Sequence, residues 1–267
     1  MTGSNYTTTV VVMNKETIIV MVLVVAAFFG GVYFSKGSVM GESDVAVPTG
    51  SETQAVASEV SIDKVKALFN DKNIVLGDKN SKLLIVEFSD PSCPFCSIAS
   101  GKNPELNKQV GNQFLMKDQG GTYVAPEPEI RKLVDEGKAA FVWLFANGHG
   151  NGELATQALY CANESGKFWE VHDLLMGTKG YDLLNDTVQN DKGQIGVLAD
   201  FLKSAVSITD MKNCLDSGKY AGRISEDTAV AGEMQFEGTP YFIVNTTRFV
   251  GAYSFTEMQS TVDEALR

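Results

Sequence analysis

The sequence predicts an α/β domain with a mixed sheet, and three observations support that class. Two apolar runs rich in β-branched residues, 82–88 and 139–145, are typical of buried strands and are separated by a helical stretch. Residues 153–215 carry repeated helical spacing. Two short strands, 241–244 and 248–250, are joined by a turn. The first two runs favour a parallel βαβ unit, and the last two favour an antiparallel hairpin.

Composition narrows the function classes. The chain has 267 residues, of which 44% are hydrophobic and 21% charged, so a full core can be buried. The formal net charge of -11 argues against nucleic acid as a partner, because phosphate binding needs clustered Lys and Arg. Four cysteines, two of them in a C-x-x-C pair, suggest a redox or metal motif.

An uncharged apolar segment at 17–35 is long enough to span a bilayer core. It ends in bulky residues rather than a small-x-small cleavage site, so we expect an uncleaved transmembrane anchor, with a cleaved signal peptide as the alternative. Residues 1–16 would be a short cytoplasmic leader and 36–60 a flexible polar linker. The protein is thus expected in the cell membrane as a single-pass protein, with residues 61–267 extracytoplasmic.

Within this domain, Ser61 is suited to be the N-cap of a first helix. The helix after the first strand should run to about Val110 but be interrupted at Gly101 and Pro104. The remaining expectations are a loop over 120–128, a short helix over 128–136, helices over 153–162, 168–176, 195–204 and 209–215, and a closing helix over 255–266.

The C-x-x-C pair, Cys93 and Cys96, follows a predicted buried strand and opens a predicted helix. The unpaired N–H groups and positive potential of a helix N-terminus stabilise a thiolate, which is the form that attacks disulfides. We therefore predict Cys93 as the nucleophile and Cys96 as the resolving thiol. Pro94 fits the first helical turn because no partner is needed there for its missing N–H.

Two alternatives remain for the pair: a purely structural disulfide, or half of a zinc site. Zinc would need two more ligands. The candidates are Cys161, Cys214, His149 and His172. None of them forms a second close pair, and His172 is better explained as a packing or capping residue of its helix.

Three segments resemble the DsbA-like family of thiol–disulfide oxidoreductases. Residues 85–96 (IVEFSDPSCPFC) resemble its active-site segment, 161–175 its helical insert and 238–245 (GTPYFIVN) its cis-proline strand, in the same order. The resemblance implies a thioredoxin fold with an inserted helical domain, here at about 150–232. It also implies an enzyme that needs no metal and no cofactor.

The resemblance assigns two further sites. Thr239–Pro240 would be the cis-proline loop that faces the redox pair and binds the substrate backbone; an ordinary trans proline at a strand start is the alternative. Glu87 would be the buried acid that relays the proton of Cys96. A solvent-facing glutamate is the alternative there, which the apolar residues on both sides of Glu87 disfavour.

Phe95 stands where the best-known family members have histidine, so it offers the thiolate of Cys93 no hydrogen bond and no charge. Cys161 and Cys214 fall in the helical block. In an oxidising compartment we expect them to form a structural disulfide, and two separately buried thiols are the alternative.

The expected function is oxidation of cysteine pairs in exported proteins through a mixed disulfide on Cys93. A membrane-bound oxidase would recycle the enzyme, which we expect to be a monomer. A disulfide reductase or isomerase with the same residues is the first alternative. A redox-silent, chaperone-like binding module is the second, although the presence of both active-site cysteines argues against it.

Overall fold

The sheet is built around a strand whose side chains are all buried. A computed structural model describes residues 60–267. The strands are β1 (Ile74–Gly77), β2 (Leu83–Ser89), β3 (Ala139–Phe145), β4 (Tyr241–Val244) and β5 (Thr247–Val250), in the spatial order β1-β3-β2-β4-β5. Strands β2 and β3 are parallel, and the other neighbouring pairs are antiparallel. The predicted parallel unit and hairpin are therefore confirmed.

Eleven α-helices accompany the sheet in the described part of the chain. They are α1 (Ile62–Ala67), α2 (Pro94–Ser100), α3 (Pro104–Val110), α4 (Pro126–Asp135), α5 (Glu153–Asn163), α6 (Phe168–Met176), α7 (Thr178–Leu183), α8 (Ile195–Phe201), α9 (Ile208–Ser217), α10 (Ala221–Glu233) and α11 (Phe255–Leu266). A π-helical turn covers Leu184–Val188, and 3-10 turns cover Asn112–Phe114, Lys117–Gln119, Lys192–Gln194 and Leu202–Ser204.

Helix α2, which carries the redox pair, ends at Ser100 because Gly101 follows it. Gly101 adopts a left-handed conformation (φ 67°) and donates its N–H to the carbonyl of Ile98. Asn103 then caps α3 by accepting a hydrogen bond from the N–H of Leu106 at 3.2 Å, and Pro104 occupies the first helical position. The predicted interruption is thus a complete helix end followed by a new start.

The two faces of the sheet bury different side chains because strand residues alternate. One face, with Ile85, Trp143 and Phe242, belongs to the large core formed with residues of α2, α4, α5, α6 and α11. The opposite face, with Val86 and Phe88, packs with residues of α1 and α10. Glu87 falls on the first face, between Trp143 and Phe242 of the neighbouring strands.

The helices α5 to α10 form an insertion between β3 and β4. A disulfide joins Cys161 of α5 to Cys214 of α9, with Cα atoms 6.1 Å apart. Asp227 of α10 fastens the insertion to the sheet. Its carboxylate accepts hydrogen bonds from the Tyr160 hydroxyl at 2.7 Å and from the N–H of Phe145 at 3.1 Å.

Some elements differ from the sequence-based expectation. Helix α4 begins at Pro126, two residues earlier than expected, because a proline fits the first helical position. Strand β1 and helices α7 and α10 were not predicted. Helix α10 is rich in small and polar residues, including Gly222 and Gly232, so its hydrophobic periodicity is weak.

The expected membrane segment lies outside the described residues, as do the leader 1–16 and all but the last residue of the linker 36–60. Among residues 60–267, no helix is both long enough and apolar enough to cross a bilayer.

We predict that replacing both Cys161 and Cys214 by alanine lowers the free energy of unfolding by about 4 kcal/mol, because a disulfide across this sequence separation of 53 restricts the unfolded chain. Denaturant unfolding with the Cys93–Cys96 pair kept reduced would measure the difference. An unchanged midpoint and slope would show that the disulfide adds no stability.

Candidate active site

The start of α2 sets the position of Cys93. Cys93 is the N-cap residue, with an extended backbone (φ -78°, ψ 129°), and its carbonyl accepts the first helical hydrogen bond, from Ser97. Pro94 occupies the first helical position, as the sequence predicts. The side chain of Cys93 therefore lies beside the unpaired N–H groups of the helix start.

Both active-site cysteines are free thiols in the structure. The pKa of Cys93 is lowered to about 6, chiefly by a hydrogen bond with Cys96 and against the opposing effect of burial. Thr239 and the backbone N–H groups of Cys96 and Phe95 contribute to the same lowering. At neutral pH the Cys93 side chain is consequently a thiolate, the reactive form.

Cys96 has the opposite electrostatic environment. It is fully buried one turn into α2, where burial and then the neighbouring Cys93 raise its pKa well above that of a free thiol. Its sulfur accepts a hydrogen bond from the N–H of Asp90 at 3.4 Å. The two thiols thus differ strongly in acidity although they belong to one motif.

The loop between β2 and α2 is fixed by a carboxylate that the sequence analysis did not single out. Buried Asp90 accepts hydrogen bonds from the N–H and hydroxyl of Ser92, and from the N–H groups of Gly148 and His149, all between 2.7 and 2.9 Å. Gly152 permits this approach, because a Cβ there would lie 1.9 Å from Asp90 Oδ1. Asp90 therefore ties the loop before the redox pair to the loop after β3.

The insertion also holds the redox helix. The Ser97 hydroxyl of α2 donates to the carbonyl of Met176 at 2.7 Å, and the Asn185 amide donates to the carbonyl of Ser92 at 3.1 Å. Met176 forms a small buried cluster with Cys93 and Cys96. These contacts fix the pair against the helical layer.

The Thr239–Pro240 peptide bond is cis and lies opposite Cys93. The thiol of Cys93 reaches the carbonyl of Thr239 at 3.6 Å. Gly148 approaches this loop closely, since a Cβ there would meet the Thr239 hydroxyl at 1.8 Å. The structure therefore brings together Cys93, Cys96 and Thr239–Pro240, whereas Cys161 and Cys214 form their own disulfide in the insertion.

An open groove of about 450 Å³ adjoins the redox pair. Phe95, 40% exposed, forms one wall and packs against Phe114 with ring centroids 5.8 Å apart. Thr239, Val250 and Tyr253 lie along the groove, and the last two are also exposed apolar side chains. The groove reaches the redox pair through Phe95 and Thr239, which neighbour Cys93, and Gln113 and Glu257 add polar groups to its otherwise apolar lining.

Glu87 is fully buried behind the redox helix, so the solvent-facing alternative is wrong. Burial, and then the negative charge of Glu127, raise the pKa of Glu87 well above that of an ordinary glutamate. Neither of its carboxylate oxygens makes a hydrogen bond of normal geometry. A neutral carboxylic acid is therefore favoured at this position.

Two further ionisable groups lie in the same layer: Glu127, which the sequence analysis missed, and His172, which it interpreted as a packing or capping residue. Glu127 is in the first turn of α4 and His172 is in α6, and both are buried. His172 Nε2 lies 3.0 Å from Glu127 Oε2. Burial alone would lower the pKa of His172, but Glu127 and Asp173 together raise it to about 10.

The zinc alternative loses two of its candidate ligands to the Cys161–Cys214 disulfide, while His172 contacts Glu127. Across residues 60–267, no group of three or more His, Cys, Asp or Glu side chains is arranged to hold a metal ion.

Comparison with known proteins agrees with this geometry. A family model described as thioredoxin (Thioredoxin_4) matches residues 126–264, just over half of the chain. The crystal structure of Wolbachia pipientis alpha-DsbA1 superposes with a TM-score of 0.56 at 15% identity, covering 76% of this chain and 96% of that one. This likeness shows the fold.

Two curated relatives are similar in sequence. Disulfide bond formation protein D of Bacillus subtilis is 24% identical over 200 residues, which are 72% of this chain and 77% of the relative. The Na(+)/H(+) antiporter NhaA 3 of Salinispora tropica is 28% identical over 217 residues, which are 78% of this chain. This chain spans only 27% of that antiporter's length.

We predict that Glu87→Gln stabilises the protein at high pH but not at low pH. The raised pKa means that the folded state holds the Glu87 proton more tightly than the unfolded state. The stability linked to that proton is complete below the ordinary glutamate pKa and is lost as pH rises through the raised value. Glutamine needs no proton, so its advantage should grow by up to about 1.4 kcal/mol per pH unit across that range.

Denaturant unfolding at pH 4 and pH 8 would test this. The control is Glu129→Gln, which makes the same substitution at a partly exposed glutamate in the first turn of α4. Equal effects of Glu87→Gln at both pH values would contradict a raised pKa.

Proposed function

We propose that this chain, which belongs to the thioredoxin family, oxidises cysteine pairs of exported proteins while anchored in the membrane. Its described domain is a DsbA-like thiol–disulfide oxidoreductase domain. One observation carries the proposal. Two cysteines of very different acidity stand at one helix start, with the acidic one facing a cis-proline loop.

The oxidising cycle starts from the Cys93–Cys96 disulfide. A substrate thiolate attacks Cys93 Sγ, the disulfide breaks, and Cys96 leaves as a thiolate that takes up a proton. The second substrate thiolate then attacks the substrate sulfur of the mixed disulfide, and Cys93 leaves as a stable thiolate. The substrate loses two electrons and the Cys93–Cys96 pair gains them.

The acidity of Cys93 favours this direction. A thiol with a pKa of about 6 is a good leaving group, and its thiolate stabilises the reduced protein. A disulfide that yields a stable reduced form is an oxidant. The side chain of Phe95 adds no polar stabilisation of the thiolate, which is the observation that supports the reductase or isomerase alternative.

Substrate binding is proposed for the groove beside Cys93 and for the Thr239–Pro240 loop. The apolar walls formed by Phe95, Val250 and Tyr253 suit an unfolded segment that exposes hydrophobic side chains. An extended segment can pair with backbone at the cis-proline loop while its cysteine reaches Cys93. Recognition of this kind depends on apolar character rather than on one sequence.

Anchoring is proposed through the apolar segment 17–35, with residues 61–267 on the extracytoplasmic side. The segment lacks charge over a length that matches a bilayer core. A tether raises the local concentration of the enzyme near a membrane-bound oxidase that returns the Cys93–Cys96 pair to the disulfide. The anchored protein is proposed to act as a monomer.

We predict different outcomes for the two active-site cysteines. Cys93→Ser should abolish exchange because it removes the attacked sulfur. Cys96→Ser should leave the Cys93 thiolate able to form mixed disulfides that persist, because the resolving thiol is gone. The probe is a model peptide that contains a disulfide: the Cys93 thiolate attacks one of its sulfurs, the S–S bond breaks, and the other sulfur leaves as a thiolate. Non-reducing gels and mass spectrometry would detect the resulting mixed disulfides. Trapped complexes in the Cys93→Ser variant instead would reverse the assignment.

We also predict that the full chain fractionates with membranes and stays there at high pH and high salt, because an apolar helix does not depend on charge for insertion. Carbonate extraction followed by immunoblotting measures this. Release of the protein by carbonate, or a mature N-terminus shortly after Phe34, would show that the segment does not anchor it.

A further inference from the structure

The thiol of Cys96 requires a proton supply that the site described so far does not complete. Cys96 gains a proton when the Cys93–Cys96 disulfide is reduced and loses it when the disulfide re-forms. Cys96 and Glu87 are both completely buried. A proton that Glu87 passes to Cys96 must therefore be replaced through another group, because Glu87 has no surface accessible to bulk solvent.

We propose that Glu127 and His172 form the outer half of a proton path that connects Glu87, and through it Cys96, with a small surface cavity. This inference rests on the proposed disulfide-exchange function and extends it to two residues outside the C-x-x-C motif.

The arrangement of the buried groups supports such a path. Glu87 of β2 points to the sheet face that α2, α4 and α6 cover, and the charges that act on it come from Glu127 and His172. Glu127 and His172 are 2% and 1% exposed and contact each other at 3.0 Å. The ionisable groups therefore follow one another from the sheet to the helical layer.

The other groups around Glu87 do not offer a competing route. Ser89 on the same strand acts on both Glu87 and Cys96, so it lies on the inner side of the path and not on a separate route to solvent. Trp143 and Phe242 lie beside Glu87 on the neighbouring strands. Burial raises the pKa of Tyr123, so its hydroxyl stays protonated. Glu127 and His172 are thus the ionisable side chains that act directly on Glu87.

The path ends at a cavity of about 110 Å³ that Glu127, Lys102, Arg131 and Asp173 line. Asp173 has a 27% exposed side chain, and its Oδ1 lies 3.4 Å from His172 Nδ1. Its Oδ2 is held by Lys102 at 2.7 Å and by Arg131 at 3.4 Å. Asp173 consequently joins the buried imidazole to solvent at a fixed position.

A purely structural role explains this cluster poorly. Burying a carboxylate and an imidazolium costs several kcal/mol for each ion, and well-packed apolar side chains often replace buried ion pairs without loss of stability. The third group, Glu87, has no hydrogen bond of normal geometry in compensation. A proton path gives a reason for three buried ionisable groups in one layer.

The proton balance is simple. When a substrate thiolate attacks Cys93 Sγ, the Cys93–Cys96 bond breaks and the Cys96 thiolate takes the proton of the Glu87 carboxyl group. Glu127 passes a proton from the His172 imidazolium to Glu87, and His172 regains one from water at Asp173. Re-formation of the disulfide moves one proton outward along the same groups.

The test measures the rate at which dithiothreitol reduces the Cys93–Cys96 disulfide of the oxidised full chain. Samples are quenched with acid and their free thiols counted, at pH 5 to 9 and in both H₂O and D₂O. We expect Glu127→Gln to slow this reaction by at least about tenfold, which is less than the roughly 10²–10⁴-fold effect of a direct general acid or base because Glu127 acts through Glu87, and to increase the solvent isotope effect. Glu129→Gln removes a charge from the same helical turn outside the cluster and should match the wild type. Alkylation of Cys93, which needs no proton on Cys96, should be unchanged in both.

A double variant separates a path from a packing effect. Because Glu87 and Glu127 would act in series, Glu87→Gln combined with Glu127→Gln should be no slower than Glu87→Gln alone. Glu127→Asp, which restores a carboxylate, should recover part of the rate, and it replaces Glu127→Gln in the test if the glutamine variant does not fold.

The outcomes separate the two proposals. Wild-type protein that does not exchange disulfides would overturn the proposed function. Wild-type exchange with a Glu127→Gln variant of unchanged rate and isotope effect, or with independent effects of Glu87 and Glu127, would overturn the proton path alone.

Discussion

The hydrogen bond between the two active-site sulfurs is the interaction on which the rest of the site depends. It lowers the pKa of Cys93, and it adds to the larger effect of burial in raising the pKa of Cys96, so one thiol becomes a thiolate at neutral pH while the other keeps its proton. The contact persists only if α2 starts at the right place. Asp90 fixes the preceding loop through four hydrogen bonds, and the insertion holds α2 through the carbonyl of Met176.

The same arrangement separates two environments across the redox helix. Cys93 faces the cis-proline loop and the apolar groove, where a substrate sulfur can approach it. Cys96 faces inward, towards the layer that contains Glu87, where burial favours the neutral form of both groups. At Glu87 the buried acid lowers the free energy of unfolding as pH rises, whereas in the proposed cycle its proton is the one that Cys96 takes up.

Local patterns in the sequence predict much of this architecture. The run 82–88 and the pair Cys93 and Cys96 predict the strand-to-helix transition. A buried strand and a helix start each produce a recognisable residue pattern within a few positions. Strand β1 has four residues of mixed burial and carries no readable period. The partners of Asp90, and the contact between Glu127 and His172, join residues far apart in sequence, so only the folded chain shows which polar side chains meet.

The equilibrium between the Cys93–Cys96 pair and a glutathione redox buffer tests the central claim most directly, because the potential compares the stabilities of the two redox forms. A helix-start thiolate that stabilises the dithiol predicts an oxidising potential, between about -120 and -220 mV. The absence of a polar side chain at Phe95 places the expected value away from the most oxidising end of that range. A potential near or below about -270 mV, as in thioredoxin, would contradict an oxidase and favour a reductase.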